Sequence, residues 1–310
     1  MHGIHHVTAI AGNPNANLAF YTRTLGLRFV KKTVNFDDPG TYHFYFGDEA
    51  GAPGTILTFF PWEHAGAGRG GVGLTQSTTF RIPAQSIGFW THRLVAAGVK
   101  HEALVKRFGE SVLDFTDPDG MSLSLVGIAG AETEPAWSNG DIPAEHAIRG
   151  FHGVTLMLDD AAPTGVILTD VLGFKKVDQD ASLIRFKSES PVGGVVDIRP
   201  AKGFLPGRMG RGSVHHVAFR AANDAQQAEI ARKLREDHHL PVTEQRDRNY
   251  FRSIYFREPG GILFEIATDE PGFTVDEPLT TLGRHLKLPA FLEPRRKELE
   301  AILPPLEAMA

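Results

Sequence analysis

The sequence predicts an α+β fold in which four βαβββ modules pair into two curved-sheet barrels. Three observations favour this fold. The same order of strand-like and helix-like segments recurs at roughly 50 to 70 residues along the chain of 310 residues. Short phrases recur with it, such as TLGLRFVKK with VLGFKKV, and DPDGMSLSLV with EPGGILFEIA. A histidine pair followed by valine occurs twice, in GIHHVTAI (3–10) and in SVHHVAFR (213–220).

The first module begins at Gly3 with the strand-like IHHVTAIAG. A helix is predicted over NPNANLAFYTRTLG, because Asn13 is a suitable N-cap, Pro14 suits the first helical position and Gly26 follows the end. Turn residues separate three further strand-like segments, LRFVKKTVNF, TYHFYFGD and GTILTFFPW. The phenylalanines of the last two segments are candidates to line an apolar pocket.

The other three modules repeat this order. The second begins near Leu74 with TQSTTFRIP, and its helix SIGFWTHRLVAAG ends at Gly98. The third begins with FHGVTLMLDD, followed by the helix-like PTGVILTDVLG. The fourth runs from SVHHVAFRAAN through the helix DAQQAEIARKLREDH to GILFEIATD.

These repeats divide the chain into two halves, a linker and an extension. Modules 1 and 2 form an N-terminal half at 1–128, and modules 3 and 4 form a C-terminal half at 150–270, with the linker at 129–149. The extension at 271–310 lies outside the repeats and contains one short predicted helix, EPRRKELEAI. It either covers a cavity mouth or packs against a second subunit.

One module is too small to bury its own sheet face, so modules must pair around shared cavities. Aligning the modules on their apolar pattern gives one set of equivalent positions in the first strands and another in the last strands. The first-strand set is His6, Ser77, Gly153 and His216, and the last-strand set is Thr58, Ser124, Asp197 and Glu265. Modules 1 and 4 therefore supply two histidines and a glutamate, which can share one ion only if these modules build one cavity. We predict that module 1 pairs with module 4, and module 2 with module 3.

Two imidazoles and one carboxylate form a facial triad that leaves about three positions open on an octahedral ion. This arrangement suits Fe(II) chemistry with O₂, although Mn(II) or Ni(II) would also bind. A buried, unpaired carboxylate at Glu265 would be costly, and a metal removes that difficulty. The predicted metal ligands are His6, His216 and Glu265. Asp197 has no imidazole partners, so a second metal is not expected there.

Composition excludes several classes of function. The chain is 42% hydrophobic and 22% charged, with a formal net charge of −5 and no basic run, so neither nucleic-acid binding nor membrane binding is expected. It contains neither a run of 18 apolar residues nor a secretory signal pattern, and we expect a cytoplasmic protein. Because cysteine is absent, disulfides, thiolate metal sites and cysteine nucleophiles are excluded.

The motifs GIHHVTAI, LGLRFVKKTVNFDDPGTYHFYFGD, PGTILTFFPW, VHHVAF and FEIATDEPGF together resemble the vicinal-oxygen-chelate superfamily. This superfamily includes glyoxalase I, bleomycin-resistance proteins and extradiol dioxygenases, and the closest resemblance is to hydroquinone ring-cleaving dioxygenases. The resemblance implies the vicinal-oxygen-chelate fold and Fe(II) bound by His6, His216 and Glu265. It also implies that His5, Arg248 and Tyr255 surround the substrate.

The resemblance gives these three residues catalytic roles. Tyr255 and His5 would act as general acid or base, and Arg248 would stabilise developing negative charge. Regular strand alternation argues differently for His5 and His215, because it turns both side chains away from the ligand positions. Their functional role is therefore open at the level of the sequence.

Three functions compete. The leading one is an Fe(II)-dependent extradiol-type dioxygenase that acts on a hydroquinone, with a small aromatic diol and O₂ as partners and with homo-oligomerisation left open. The second is a glyoxalase-like isomerase or lyase, which usually has a fourth protein ligand where this chain has Thr58. The third is a binding protein that sequesters an aromatic compound, which would need no metal.

Overall fold

The computed structural model describes residues 3–138 and 140–307. Within each module a first strand precedes a helix, and three strands follow. Module 1 contains β1 (Ile4–Ala11), α1 (Pro14–Ala19), β2 (Arg28–Asn35), β3 (Asp38–Gly47) and β4 (Ile56–Pro61). Module 2 contains β5 (Leu74–Pro83), α2 (Ile87–Ala96), β6 (Val105–Arg107), β7 (Glu110–Thr116) and β8 (Ser122–Ile128).

The C-terminal modules follow the same plan. Module 3 contains β9 (Phe151–Leu158), α3 (Ala162–Val166), β10 (Lys175–Asp180), β11 (Leu183–Lys187) and β12 (Val195–Pro200). Module 4 contains β13 (Ser213–Ala221), α4 (Asp224–Glu236), β14 (Arg246–Asp247), β15 (Phe251–Arg257) and β16 (Leu263–Pro271). In the extension, α5 (Arg296–Ile302) follows a 3₁₀ turn at Glu293–Arg295, which confirms the predicted short helix.

The first helix forms as its end signals predict. The Asn13 side chain accepts a hydrogen bond from the backbone N–H of Ala16, and Pro14 occupies the first helical position. The helix continues as a π-helical turn at Phe20–Thr24. Gly26 then adopts a φ of 70°, a conformation that favours glycine, and turns the chain into β2.

The described residues form two eight-stranded sheets, and their strand orders confirm the predicted pairing of modules. The first sheet has the order β14-β15-β16-β13-β1-β4-β3-β2, which joins modules 1 and 4. The second has the order β10-β11-β12-β9-β5-β8-β7-β6, which joins modules 2 and 3. The joints are the antiparallel pairs β1–β13 and β5–β9. Each half of the sequence therefore contributes one module to each sheet.

The predicted register is also confirmed. In each module the last strand runs parallel to the first. The residue of the last-strand set lies opposite a residue of the first strand, and that residue is two positions after the member of the first-strand set. The four pairs are Thr8 with Thr58, Thr79 with Ser124, Thr155 with Asp197, and Ala218 with Glu265. Because side chains two residues apart share a face, each pair of predicted positions lies on one face of its sheet.

One continuous cluster of buried apolar side chains draws on all four modules and includes Phe44, Phe80, Phe151 and Phe219. In the described part of the chain, the helices are too short or too polar to cross a membrane.

The C-terminal extension packs against module 1. Fully buried Lys31 on β2 forms ion pairs with Asp276 and Glu277 of the extension, with N–O distances of 2.6 and 3.0 Å. Further along, the ring of Phe291 lies 6.1 Å from that of Phe36, in the turn between β2 and β3. The extension therefore reaches the neighbourhood of the cavity described next.

Candidate metal centre and its cavity

Three predicted residues meet on the concave face of the first sheet. His6 on β1, His216 on β13 and Glu265 on β16 are all buried, and one nitrogen or oxygen from each lies within 4.8 Å of the others. Because β1 and β13 are neighbours and β13 pairs with β16, the joint between modules 1 and 4 brings these side chains together.

The carboxylate of Glu265 is held from one side only. The buried hydroxyl of Ser253 on β15 donates a hydrogen bond to Oε1. The other oxygen, Oε2, is buried and accepts no hydrogen bond from the residues that the structure describes, although it lies 2.9 Å from His216 Nε2 and 3.4 Å from His6 Nε2. Burial alone would raise the pKa of Glu265, but attraction to the His6 and His216 rings in their protonated form outweighs it and holds this pKa well below its usual range.

These donors fit a divalent ion. Two nitrogens and one oxygen suit first-row metals, whose bonds to such atoms are about 2.0–2.2 Å long. Neighbouring ligands of an octahedral ion would then stand about 3 Å apart, close to the distances from Glu265 Oε2 to the two imidazole nitrogens. An ion would also give the orphaned Oε2 a partner.

The doubled histidines have a structural explanation. His5 Nδ1 lies 2.9 Å from His6 Nδ1, and His215 Nδ1 lies 2.8 Å from His216 Nδ1. The β1–β13 pairing shifts register between Ile4 and His6, and again opposite His215, so that each preceding histidine is the extra residue of a β-bulge. A bulge re-aims a side chain next to a site, and here it brings two consecutive imidazoles into contact.

Each contact leaves Nε2 of the predicted ligand free when that ligand donates its Nδ1 hydrogen to the neighbouring histidine. Burial lowers the pKa of His5 well below its usual value and that of His215 to about 3, so both rings are neutral. A neutral His6 or His216 that donates from Nδ1 to its neighbour keeps its lone pair on Nε2. Both Nε2 atoms face Glu265, as a shared ion would require.

A cavity of about 280 Å³ opens beside the three residues. Its volume lies near the lower end of the range for small-molecule pockets, which suits a single-ring compound. Its aromatic lining consists of Phe36, Tyr45, Phe60, Trp62, Phe251 and Tyr255. Its polar lining, besides the three converging residues, includes Asn35, Asp37, His43, His215, Thr243, Arg246 and Arg248.

Two of the three residues predicted around a substrate lie in this wall. Arg248 Nε donates a hydrogen bond of 3.0 Å to Tyr255 Oη, and the Tyr255 ring meets the His216 ring edge-on, with 5.9 Å between centroids. Burial and the nearby Glu265 charge raise the pKa of Tyr255 well above its usual value, so its hydroxyl keeps its proton. Arg248 lies in the turn between β14 and β15, directly before Asn249, which has a φ of 70°.

His5 is placed differently from what the resemblance implies. It is buried behind His6 against Phe251, with 5.1 Å between the ring centroids, and it is not part of the cavity lining. His215 does line the cavity, which corrects the expectation from strand alternation that it points away. The bulges explain the difference, because alternation holds only along an unbroken strand.

Sequence reasoning missed His43. Its Nε2 lies 2.9 Å from Thr58 Oγ1, which donates to Thr8 Oγ1 at 2.8 Å, so His43 donates from Nε2. Its Nδ1 then accepts from the hydroxyl of Tyr45, 2.9 Å away. Tyr45 pairs with Thr58 across β3 and β4, and His43 is two residues before Tyr45 on the same face. That spacing was the available signal.

The expected aromatic lining needs one correction. Phe60 lines the cavity together with Trp62, but its neighbour Phe59 and the phenylalanines of YHFYFGD, Phe44 and Phe46, are fully buried in the core. Successive side chains of β3 point to opposite faces of the sheet, so His43 and Tyr45 face the cavity instead.

The second sheet has its own cavity, of about 260 Å³, with a different lining. Asp197 stands in the position equivalent to Glu265, and Arg185 pairs with it on β11 as Tyr255 pairs with Glu265 on β15. The Arg185 guanidinium donates to both Asp197 oxygens at 2.9 and 2.8 Å and to Glu110 at 2.6 Å. An internal ion pair thus satisfies this carboxylate.

The chain matches one family model and several known proteins. The model of the Glyoxalase/Bleomycin resistance protein/Dioxygenase superfamily matches residues 3–125 and 150–266. MhqO of Bacillus subtilis, which is named as a ring-cleaving dioxygenase, is 45% identical over 305 residues that cover 98% of this chain and 96% of MhqO. The chlorohydroquinone/hydroquinone 1,2-dioxygenase of Sphingobium indicum is 33% identical over 304 residues, covering 96% of this chain and 94% of that enzyme.

Solved structures match over nearly the whole chain. A Bacillus subtilis protein whose crystal structure is described as that of a dioxygenase superposes with a TM-score of 0.95 at 44% identity, covering 99% of this chain and 98% of the other. Glyoxalase I of Zea mays shares the fold with a TM-score of 0.67 at 14% identity, covering 92% and 98%. The chain therefore belongs to the glyoxalase/bleomycin resistance protein/dioxygenase superfamily, and it is an enzyme of the ring-cleaving dioxygenase group within it.

Proposed function

We propose that the protein is an Fe(II)-dependent, extradiol-type dioxygenase that opens the ring of hydroquinone or a substituted hydroquinone. The observation that carries this proposal is the buried group of His6, His216 and Glu265 at the wall of an aromatic cavity of about 280 Å³. The relative from Sphingobium indicum, named for chlorohydroquinone and hydroquinone, supports the substrate class.

In this proposal His6, His216 and Glu265 hold the iron. When bound, Fe(II) with three protein ligands would supply open positions for a substrate oxygen and O₂ and would mediate electron flow between them. Ser253 orients Glu265 by its hydrogen bond to Oε1. Both atoms of O₂ enter the product, and the ring opens next to a hydroxyl-bearing carbon to give a hydroxymuconic semialdehyde or a substituted relative.

Tyr255 and Arg248 handle protons and charge. The Tyr255 hydroxyl, which keeps its proton, can donate that proton to a substrate oxygen on which negative charge develops. The guanidinium of Arg248 bonds that hydroxyl and places a fixed positive charge at the cavity wall, where negative charge on a deprotonated diol would develop.

On the module 1 side of the cavity, a chain of uncharged side chains faces Tyr255 and Arg248. The hydrogen bonds from Tyr45 through His43 to Thr58 and Thr8 hold the imidazole ring in one orientation. Burial lowers the pKa of His43 well below its usual value, so this ring adds no positive charge to the cavity. We assign it to binding the ring of the substrate.

His5 acts through His6 in this proposal. Because it lies behind His6 and outside the cavity lining, its contact with His6 Nδ1 fixes the orientation of that ring. His215 makes the same contact with His216 and also reaches the cavity, which makes it the better placed of the two for proton transfer.

The position of Thr58 disfavours an isomerase that needs four protein ligands. Thr58 stands in the register of a fourth ligand, but its hydroxyl is already bonded to His43 and Thr8. A binding protein without turnover would have no use for three buried ligand groups.

Oxygen uptake by anaerobically purified, Fe(II)-loaded protein tests the proposal. With hydroquinone, methyl- and chlorohydroquinone and catechol as a panel, we expect one O₂ consumed per hydroquinone and a ring-opened product. The variant Glu265→Gln should consume none. If the loaded wild-type protein consumes no O₂ with any diol of the panel, the dioxygenase proposal fails.

A further inference from the structure

Arg248 is held from two sides, and the two sides belong to different modules. Its Nε donates to Tyr255 Oη of module 4 at 3.0 Å, and its Nη2 donates to Asp37 Oδ2 of module 1, also at 3.0 Å. A guanidinium is planar, so two anchors on different nitrogens fix both its position and its plane. Asp37 thereby determines how Arg248 faces the cavity.

Asp37 is presented by the turn between β2 and β3. The side chain of Asn35 accepts the backbone N–H of Asp37 at 3.0 Å, and Asn35 pairs with Asp38 where the two strands part. The Asp37 side chain is 61% exposed at the cavity mouth, whereas that of Arg248 is 16% exposed. The carboxylate therefore reaches inward from the rim to the more enclosed guanidinium.

A second arginine shares this carboxylate. Arg246 Nη1 lies 3.4 Å from Asp37 Oδ1, and its guanidinium lies 6.0 Å from the centre of the Tyr255 ring. Arg246 makes no hydrogen bond to the Tyr255 hydroxyl among the described contacts, so Arg248 alone transmits the position of Asp37 to that atom.

We propose that Asp37 is a positioning residue that acts through Arg248 to hold the guanidinium on the Tyr255 hydroxyl. This inference rests on the proposed function, in which Arg248 and Tyr255 stabilise charge and handle protons. Without Asp37, the Tyr255 hydroxyl is the one remaining hydrogen-bond partner of the guanidinium among the described residues, and the long side chain of Arg248 gains freedom to turn toward solvent.

Loss of the Asp37 carboxylate should reduce turnover more than it reduces the stability of the fold. Exposed ion pairs contribute little to stability, so Asp37→Asn should remain folded. Misplacing a charge at a reacting centre has a larger effect, because catalytic groups must be held within a fraction of an ångström.

A double-mutant cycle tests the route through Arg248. We expect Asp37→Asn to lower kcat with hydroquinone about tenfold with little change in KM, and Asp37→Glu to recover most of the loss. In an Arg248→Gln background, Asp37→Asn should have no further effect. Glu229→Gln, which removes a different exposed ion pair on α4, is the matched control and should behave as the wild type.

A second measurement does not depend on activity. In metal-free, ¹⁵N-labelled protein, the Arg248 Nε–H signal can be assigned by its absence in Arg248→Lys. We expect this signal to be sharp in the wild type and in Asp37→Glu, and broadened or lost in Asp37→Asn. A purely structural role for Asp37 would not change it selectively.

Two results would overturn the inference. One is wild-type kcat together with an unchanged Nε–H signal in Asp37→Asn. The other is an Asp37→Asn effect that persists in the Arg248→Gln background, which would show that Asp37 acts elsewhere. If the wild type itself consumes no O₂, the proposed function fails, whereas the Nε–H signal still decides whether Asp37 positions Arg248.

Discussion

At the scale of single residues, the repeated histidine pair combines a proposed ligand with its orienting neighbour. In each pair the second imidazole faces Glu265 and the first contacts its Nδ1 at 2.8 to 2.9 Å. Sequence pattern alone identified the second members, His6 and His216, because they share a register with each other and a last-strand partner in Glu265. It could not determine what the first members do.

Removing the imidazole of His5 should weaken metal binding without unfolding the protein. His5→Phe keeps an aromatic ring beside Phe251 but removes the partner of His6 Nδ1, so the orientation of His6 is no longer fixed. Loss of such an orienting contact typically weakens metal affinity about 10- to 100-fold. Competition with a fluorescent chelator measures this.

His152→Phe is the matched control, because His152 is the extra residue of the equivalent bulge in the second sheet. It should leave the affinity unchanged. Equal affinities for His5→Phe and the wild type would contradict the role given to His5.

The hydroxyl of Tyr255 can be removed without disturbing its ring. Tyr255→Phe keeps the packing of the ring against His216 and loses the contact of the hydroxyl with Arg248 Nε. We expect full iron content and turnover slowed by roughly 10²- to 10⁴-fold, as is typical when a general acid or base is lost. Iron analysis and oxygen uptake on the same samples check both parts, and full activity would refute the proton-transfer assignment.

At the scale of secondary-structure elements, hydrophobic pattern predicted the order of strands and helices, the four-fold repeat and the register of the last strands. These follow from local periodicity, which the sequence displays directly. The bulges at His5 and His215 were not predictable, because an extra residue in one strand depends on how two strands pair. The position of Asp37 likewise depends on how the turn between β2 and β3 meets module 4.

The repeated turn motif, DPDG in module 2 and EPGG in module 4, explains how consecutive modules are joined. Asp117 and Glu258 are buried, and each accepts backbone N–H groups from the residues two and four positions later. Each carboxylate also accepts a hydrogen bond from a hydroxyl of the preceding module. Tyr21 of module 1 donates to Asp117 at 3.0 Å, and Thr164 of module 3 donates to Glu258.

Stability should depend on pH through Asp117. Burial raises its pKa from 3.8 to about 6, so the folded protein retains a proton that the unfolded chain releases between these values. The stability contributed by this residue is therefore present below about pH 4 and is lost as the pH rises through 6. A shift of about two pKa units corresponds to roughly 3 kcal/mol.

The difference in free energy of unfolding between the wild type and Asp117→Asn isolates this effect from other titrating groups. From pH 4 to pH 7 the wild type should lose stability relative to the variant, as measured by urea denaturation. Parallel pH profiles for the two proteins would show that the Asp117 pKa is not raised by folding.

At the scale of the whole molecule, the two sheets are variations of one plan. One concave face gathers two histidines and a glutamate, and the other gathers an arginine against the equivalent aspartate. Pairing module 1 with module 4 makes the first site possible, since its ligands come from opposite ends of the chain. We assign the ion pair of Arg185 and Asp197 in the second cavity to stability.

Breaking the buried ion pair of the second cavity should destabilise the protein without changing its metal content. Arg185→Leu leaves Asp197 and Glu110 without their shared partner, and the loss of one member of a buried pair costs about 3–5 kcal/mol. Urea denaturation and metal analysis on one preparation measure both quantities. The double variant Arg185→Leu with Asp197→Leu should recover part of the loss, and unchanged stability in the single variant would contradict a structural role.

The central claim is that His6, His216 and Glu265 bind the catalytic metal, and anomalous diffraction from crystals grown with Fe(II) under anaerobic conditions tests it most directly. We expect one strong iron peak per chain, about 2.0–2.3 Å from His6 Nε2, His216 Nε2 and Glu265 Oε2. A peak at another position, such as the Asp197 cavity, or no peak beside these three residues in crystals soaked to saturation, would contradict it.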